Sequence, residues 1–214
     1  MTDRLFMNPE VSSMTYCRLE QKEMRNKVMK ILIVGVLLFL VSTGLQAASS
    51  CWKSDADHGE LRFNGSVEGN GFSGIFESFS VEVCLADAGD PTSARITVEV
   101  DVASANTRNR DRDETLLGPE FFAVETFPVA SWQSDSIVAS EDGYLAEGEL
   151  NLRDVSAMQP VHLRFELSGE SPTLEGHAEI QRLRYKVGTG EFEDTDFVRN
   201  RVDLEFSLEL EDVE

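Results

Sequence analysis

The chain contains three histidines, His58, His162 and His177. None stands at a spacing that marks a metal site. There is no H-E-x-x-H to bring two rings onto one zinc ion, and no Gly-x-Ser-x-Gly turn to present a nucleophilic serine. Asp and Glu together number 39, so a carboxylate pair for glycoside hydrolysis can be drawn almost anywhere, and nothing separates such a pair from solvated surface. The expectation is a protein that is not an enzyme. Chemistry of another kind is written in RDETLLGPEFFAVETFPVASW, residues 112–132. There Arg112 and Asp113 precede Leu116, Leu117, Phe121, Phe122, Phe127 and Trp132. Such a block can cover an apolar ligand with the ionic pair at its headgroup. Alternatively the pair can fix the loop by bonding to each other and to the backbone.

The elements that must position this block are strands. Ile96, Val98, Val100 and Val102 alternate with Thr97, Glu99 and Asp101, and Val202, Leu204, Phe206, Leu208 and Leu210 alternate with Asp203, Glu205, Ser207 and Glu209. Each pattern is a strand with one wet face. Similar runs fall near residues 58–67, 72–86, 130–140, 143–153, 160–168 and 173–187, separated by turn residues such as Gly69-Asn70-Gly71 and Glu141-Asp142-Gly143. About eight strands with mostly short connections predict an antiparallel meander, closed as a barrel or folded as a sandwich. Phe76 and Phe79, and likewise Ile180 and Leu183, cannot share a face of an unbroken strand, which predicts β-bulges near Ser78 and Arg182. The bend that bulges add favours a closed sheet.

The long connection near 106–130 is expected to be functional. Asp111 or Asp113 can cap a short helical turn, and Pro119 suits the first position of another. Leu116, Leu117, Phe121 and Phe122 would then cluster inward, making a short helical lid near 111–123 over one end of the sheet.

At the other end of the chain, Arg25, Lys27 and Lys30, the uncharged apolar run 31–41 and the small residues after Gly44 read as a signal peptide over 24–48, cleaved near Ala47 or Ala48. The run is shorter than the roughly 20 residues a membrane span needs. Residues 1–23 read as an upstream extension, with Met24 or Met29 as the true start, and 50–214 as one exported domain. Cys51 follows the leader closely, but the Leu usual three residues before a lipidated cysteine is missing. The whole chain carries a net charge of −20. Residues 1–50 hold six of the 19 Lys and Arg and four of the 39 Asp and Glu, leaving 13 against 35, or −22. Such a surface repels nucleic acid and anionic headgroups. Cys51 and Cys84 remain after processing. Bridged, they would contribute roughly 3 to 4 kcal/mol; free buried thiols are the alternative.

Five separated segments, in order, resemble the YceI-like family of secreted proteins. Trp52, Asp55 and His58 before Leu61-Arg-Phe63 resemble its opening, and Gly74-Ile-Phe76 with Phe79 its second strand. Arg112-Asp113-x-x-Leu116, Phe121-Phe122, Phe127-Pro128 and Trp132 are similar to its most recognisable block. Gly148-Glu-Leu150-Asn-Leu152-Arg153 with Pro160-Val161-x-Leu163 resembles its central hairpin, and Arg182, Tyr185, Gly188, Gly190 and Phe192 its last turn. Gln181 stands where Asn is usual, and Lys186 where Gly is common.

The resemblance implies an all-β, eight-stranded antiparallel, lipocalin-like barrel in the periplasm that holds an apolar amphiphile such as an isoprenoid lipid or quinone, or a fatty amide, without a cofactor. It also implies a homodimer and, for some relatives, a link to membrane b-type cytochromes. The residues expected to meet the ligand are Phe63, Phe76, Phe79, Arg112, Leu116, Leu117, Phe121, Phe122, Phe127, Trp132, Phe165, Arg182, Tyr185 and Phe192. Taken singly, each aromatic is more often plain core, and the cluster in the lid block is the exception. Arg182, at a predicted bulge, would pair with Asp113 or a ligand carbonyl if it points inward. An apolar hollow along the axis, entered past Phe121 and Phe122, would suit an isoprenoid, since ten methylene equivalents give about 8 kcal/mol gross at ~0.8 each. A solid barrel whose acidic face docks a partner is the rival reading.

Overall fold

The computed structural model describes residues 50–87, 89–167 and 171–213. The expected extension, leader and cleavage site lie outside the described residues. Twelve strands form one antiparallel sheet: β1 Ser50–Asp55, β2 Gly59–Val67, β3 Asn70–Phe76, β4 Phe79–Leu85, β5 Ala94–Asp101, β6 Ala105–Asn106, β7 Val129–Ser140, β8 Gly143–Leu152, β9 Val155–Glu166, β10 Thr173–Gln181, β11 Arg201–Glu209 and β12 Glu211–Asp212. The eight strands expected are thus too few. The reason is that four passes of the chain break in the middle. Counting β1 with β2, β3 with β4, β5 with β6 and β11 with β12 as single passes, the twelve strands run along eight passes.

Those breaks close the sheet. β1 pairs with β4 and β12, through Trp52 opposite Val83 and opposite Asp212, while β2 pairs with β3 and β11, through Leu61 opposite Phe76 and opposite Phe206. Because β1 runs on into β2, and β11 into β12, the first pass is flanked by both the second and the last. The result is a curled, closed antiparallel barrel rather than a sandwich.

The expected bulge at Ser78 is a full interruption between β3 and β4, where the Ser78 amide donates to Ser104 Oγ at 3.0 Å and its carbonyl accepts from Asp101. At Arg182 the strand ends in a tight turn, Arg182–Tyr185, instead of bulging. A bulge that local pattern does not signal lies in β7 between Ser134 and Ser136, and the buried Ser134 hydroxyl there accepts from the Ile96 amide at 2.9 Å. β1 is also absent from the expected strands, because its inward face carries the polar Ser54.

Alternation fills the interior as anticipated. Val83, Leu85 and Ala146 are wholly buried, and Leu174 and Ile96 nearly so. Cys51 and Cys84 stand directly opposite across β1 and β4 and are bridged, 33 residues apart in sequence.

Candidate ligand-binding site

The lid begins with α1, Arg110–Leu117. Its cap is Asn109, whose side chain accepts from the Arg112 amide at 3.0 Å, and neither Asp111 nor Asp113 takes that role. Asp113 instead accepts from Thr107, from the backbone at 2.8 Å and from the hydroxyl at 2.5 Å. Arg112 donates through Nε to the same hydroxyl at 2.8 Å, and its guanidinium lies 4.4 Å from the centre of the Phe72 ring. Arg112 and Asp113 therefore converge on Thr107, not on each other, and fasten the helix to the end of β6. Pro119 opens no second helix. Residues 118–127 are successive turns, with the Phe122 amide returning to the Leu116 carbonyl at 3.0 Å.

The lid faces inward. Leu116, Phe121 and Phe122 are buried, and Leu117 and Phe127 half-buried. Phe122 packs 6.1 Å from Phe76, which lies 5.0 Å from Phe63. Phe121 packs 4.9 Å from Phe192. Two aromatic clusters thus close this end of the barrel, each holding one of the twin phenylalanines.

Two arginines lock the plug. The Arg153 guanidinium, in the turn between β8 and β9, donates to the carbonyls of Phe121 at 2.7 Å, Pro119 at 3.0 Å and Lys186. Arg182, only 3% exposed, donates to the carbonyls of Val187, Gly188, Phe192, Val198 and Arg199 at 2.6–3.1 Å. Asp113, one of the two partners expected, is not among them. Backbone dipoles replace a counter-ion here. Burial lowers the Arg182 pKa, and Glu193 partly offsets this, yet a guanidinium keeps its proton in proteins. Gly188 makes this possible: at φ +75° it adopts the left-handed conformation, and a Cβ there would collide with the Arg182 Nη1.

Below the plug lies a cavity of about 120 Å³. Val81, Ile96, Val100, Leu150, Val161 and Ile180 are among its walls, together with Phe79 and Trp132. The rest of the residues expected to meet a ligand do not line it. Phe63, Phe76, Leu116, Leu117, Phe121, Phe122, Phe127, Arg112, Arg182 and Phe192 build or fasten the plug. Tyr185 is fully buried beside it, and Phe165 packs against Tyr144, 5.7 Å away, near the far end of β9. Phe121 and Phe122 are not among the residues lining this cavity. The leucines and phenylalanines of the plug were legible as apolar; their depth in the barrel was not.

A polar residue that sequence reading missed is Gln159, 5% exposed and part of the cavity wall. Its carbonyl accepts from Trp132 Nε1 at 3.0 Å, and its side-chain amide donates to the Glu179 carbonyl at 3.0 Å. Tyr185 Oη reaches its Oε1 only at 3.5 Å, and burial raises the Tyr185 pKa, keeping the phenol neutral. Alternation alone would have flagged Gln159 as a polar residue on an inward face of β9. Gly148 opens room for the indole: a Cβ there would come within 2.6 Å of Trp132 Cζ2.

Comparison with known proteins agrees with this architecture. Residues 52–210 match the model of the YceI-like domain. A UPF0312 protein of Yersinia enterocolitica is 28% identical over 149 residues, which is 69% of this chain and 75% of that protein. Among solved structures, BcnA of Burkholderia cenocepacia superposes with a TM-score of 0.65 at 25% identity, over 72% of this chain and 98% of that one. A polyisoprenoid binding domain of Saccharophagus degradans, implicated in plant cell wall breakdown, shares the fold at a TM-score of 0.56 and 18% identity, over 75% of this chain and 98% of that one. The chain belongs to the YceI-like domain family.

Proposed function

We propose that this chain is an exported binding protein that shields the apolar part of an amphiphile, of isoprenoid or quinone type, inside its barrel for storage or transfer in the periplasm. The observation that carries the reading is the cavity of about 120 Å³, whose walls are apolar apart from Gln159 and Ser131. An apolar hollow of this kind accepts hydrocarbon in preference to water. The shared fold of a polyisoprenoid binding domain points the same way. Ligand pockets span about 300–1,000 Å³, so the cavity holds the end of a chain, and deeper insertion requires the plug to yield. The Gln159 amide protons are spent on the Pro160 and Glu179 carbonyls, so its side chain offers a ligand only Oε1, as an acceptor for a hydroxyl. The leader at 24–48 would direct the domain across the inner membrane before its removal, and two copies or a membrane partner would then exchange ligand with it.

Native mass spectrometry of protein purified without detergent tests this. The expected spectrum carries an added apolar mass that solvent extraction removes. A spectrum of bare protein, with no uptake of an added prenyl lipid, overturns the reading.

The small cavity favours one rival, an envelope accessory protein with an effectively solid barrel whose acidic face docks a partner such as a membrane b-type cytochrome. Under that reading, surface charge reversal abolishes function while filling the cavity with Ala178→Leu does not.

A further inference from the structure

The outer face of β9, β10 and β11 holds an arrangement that the interior reading does not use. Across the sheet, His162 on β9 is directly opposite His177 on β10, which is directly opposite Glu205 on β11. The two imidazoles are stacked, with centroids 4.8 Å apart and planes inclined by 9°. Both rings and the Glu205 carboxylate are exposed. They line a groove of about 1,110 Å³ on the outer wall, together with Glu60, Glu175 and Asp203. Among the described residues, Glu205 forms no ion pair; Arg62, directly opposite it on β2, is paired with Glu60, and Arg201 with Glu179 and Asp203, while Arg164, also on the groove wall, stands opposite Glu175.

We infer that His162, His177 and Glu205 form a binding site for a single divalent transition-metal cation, of the zinc or copper class. The site stands apart from the proposed ligand cavity and does not depend on it. Directly opposed residues of an antiparallel pair bring their Cβ atoms to about 4.5–5.5 Å. From there, rotation about the side-chain torsions turns the ring edges toward one ion at about 2.0–2.1 Å from each nitrogen. Imidazole suits zinc and copper over magnesium and calcium, and a carboxylate supplies a third ligand without crowding the coordination sphere. Carboxylates outnumber the groove's three arginines, Arg62, Arg164 and Arg201, and the excess negative charge raises the local concentration of a cation. Among the described residues, the soft ligands Cys51 and Cys84 are bonded to each other and do not compete.

The experiment is calorimetric titration of the full, disulfide-intact protein with ZnCl₂ after EDTA treatment, in excess Ca²⁺ to saturate non-specific carboxylate binding. One equivalent is expected to bind, Co²⁺ to give the absorption of a nitrogen-ligated site, and Zn²⁺ to raise Tm. His162→Gln and His177→Gln should each weaken binding by about tenfold or more and remove the Tm shift, and Glu205→Gln should weaken it less. Because all three side chains are exposed, the far-ultraviolet spectrum of each variant should match the parent. Wild-type protein that binds no Zn²⁺ saturably, or a His162→Gln/His177→Gln double variant that binds as the parent does, overturns the site. Unchanged affinity in Glu205→Gln overturns the three-ligand assignment.

Discussion

Arg153 and Phe121 are 32 residues apart in sequence, and the guanidinium of one donates to the carbonyl of the other at 2.7 Å. The turn between β8 and β9 therefore holds down the lid at the peptide that carries the twin phenylalanines. Arg153→Ala is expected to destabilise the fold by about 1.5–3 kcal/mol, the range for hydrogen bonds to a charged donor. Amide hydrogen exchange should speed first at residues 120–122. Urea denaturation with exchange read by mass spectrometry measures both; a uniform change in exchange would refute the clamp.

Arg182 presents a harder case, because the carbonyls around it have no other donor in the turn. Arg182→Met removes the charge and leaves those oxygens without a partner, at a cost of about 1–3 kcal/mol for each that stays buried. Arg182→Lys should recover little, since a single ammonium cannot reach both sides of the loop over which the fork spreads. Chemical denaturation of the two variants checks this, and an Arg182→Lys variant as stable as the parent would contradict it.

The barrel seam is predicted to depend on pH. His58 lies 2.8 Å from Asp55 through Nδ1 and 3.1 Å from Glu211, on β12, through Nε2. The hydrogen bond to Asp55, and next the Glu211 charge, raise the imidazole pKa above 6.5 against an opposing desolvation effect. The same bond lowers Asp55 below 3.8. The His58 contribution is thus complete below pH 6.5 and lost as pH rises through the higher folded value. The Asp55 contribution is complete above pH 3.8 and lost as pH falls through its lower folded value. Thermal melts from about pH 3 to 9 should show both limbs, and His58→Gln should remove the alkaline one. A parent and variant with parallel profiles would sink the assignment.

Reduction of the Cys51–Cys84 bridge releases a loop spanning 33 residues of sequence and should cost about 3–4 kcal/mol. It frees β1, on which β12 depends for its pairing. Urea unfolding of Cys51→Ser/Cys84→Ser against the parent measures the difference, and reductant should then have no effect on the variant.

Ala178 lines the cavity, and Ala178→Leu would fill it. Affinity for a fluorescent polyene fatty acid is expected to fall about tenfold, close to the loss of two buried methylene equivalents at ~0.8 kcal/mol each. Fluorescence titration reads this, and unaltered affinity would move the ligand outside the barrel.

The sequence determined what is local. Its period of two marks which residues face inward, its glycines and acidic turns mark where strands end, and the RDETLLGPEFF block announces a lid, because each of these signals spans only a few neighbouring residues. Tertiary structure decided the rest. Breaks at Glu77-Ser78 and between β11 and β12 turned the expected count into a closed seam. Arg182 found backbone carbonyls of residues 187–199 where Asp113 or a ligand carbonyl was expected, and the twin phenylalanines went into the plug, outside the lining of the cavity. His162 and His177, with no metal spacing along the chain, came face to face through the register of β9 against β10. Pairing between distant segments is fixed by closure of the whole sheet, and no short window of sequence contains it.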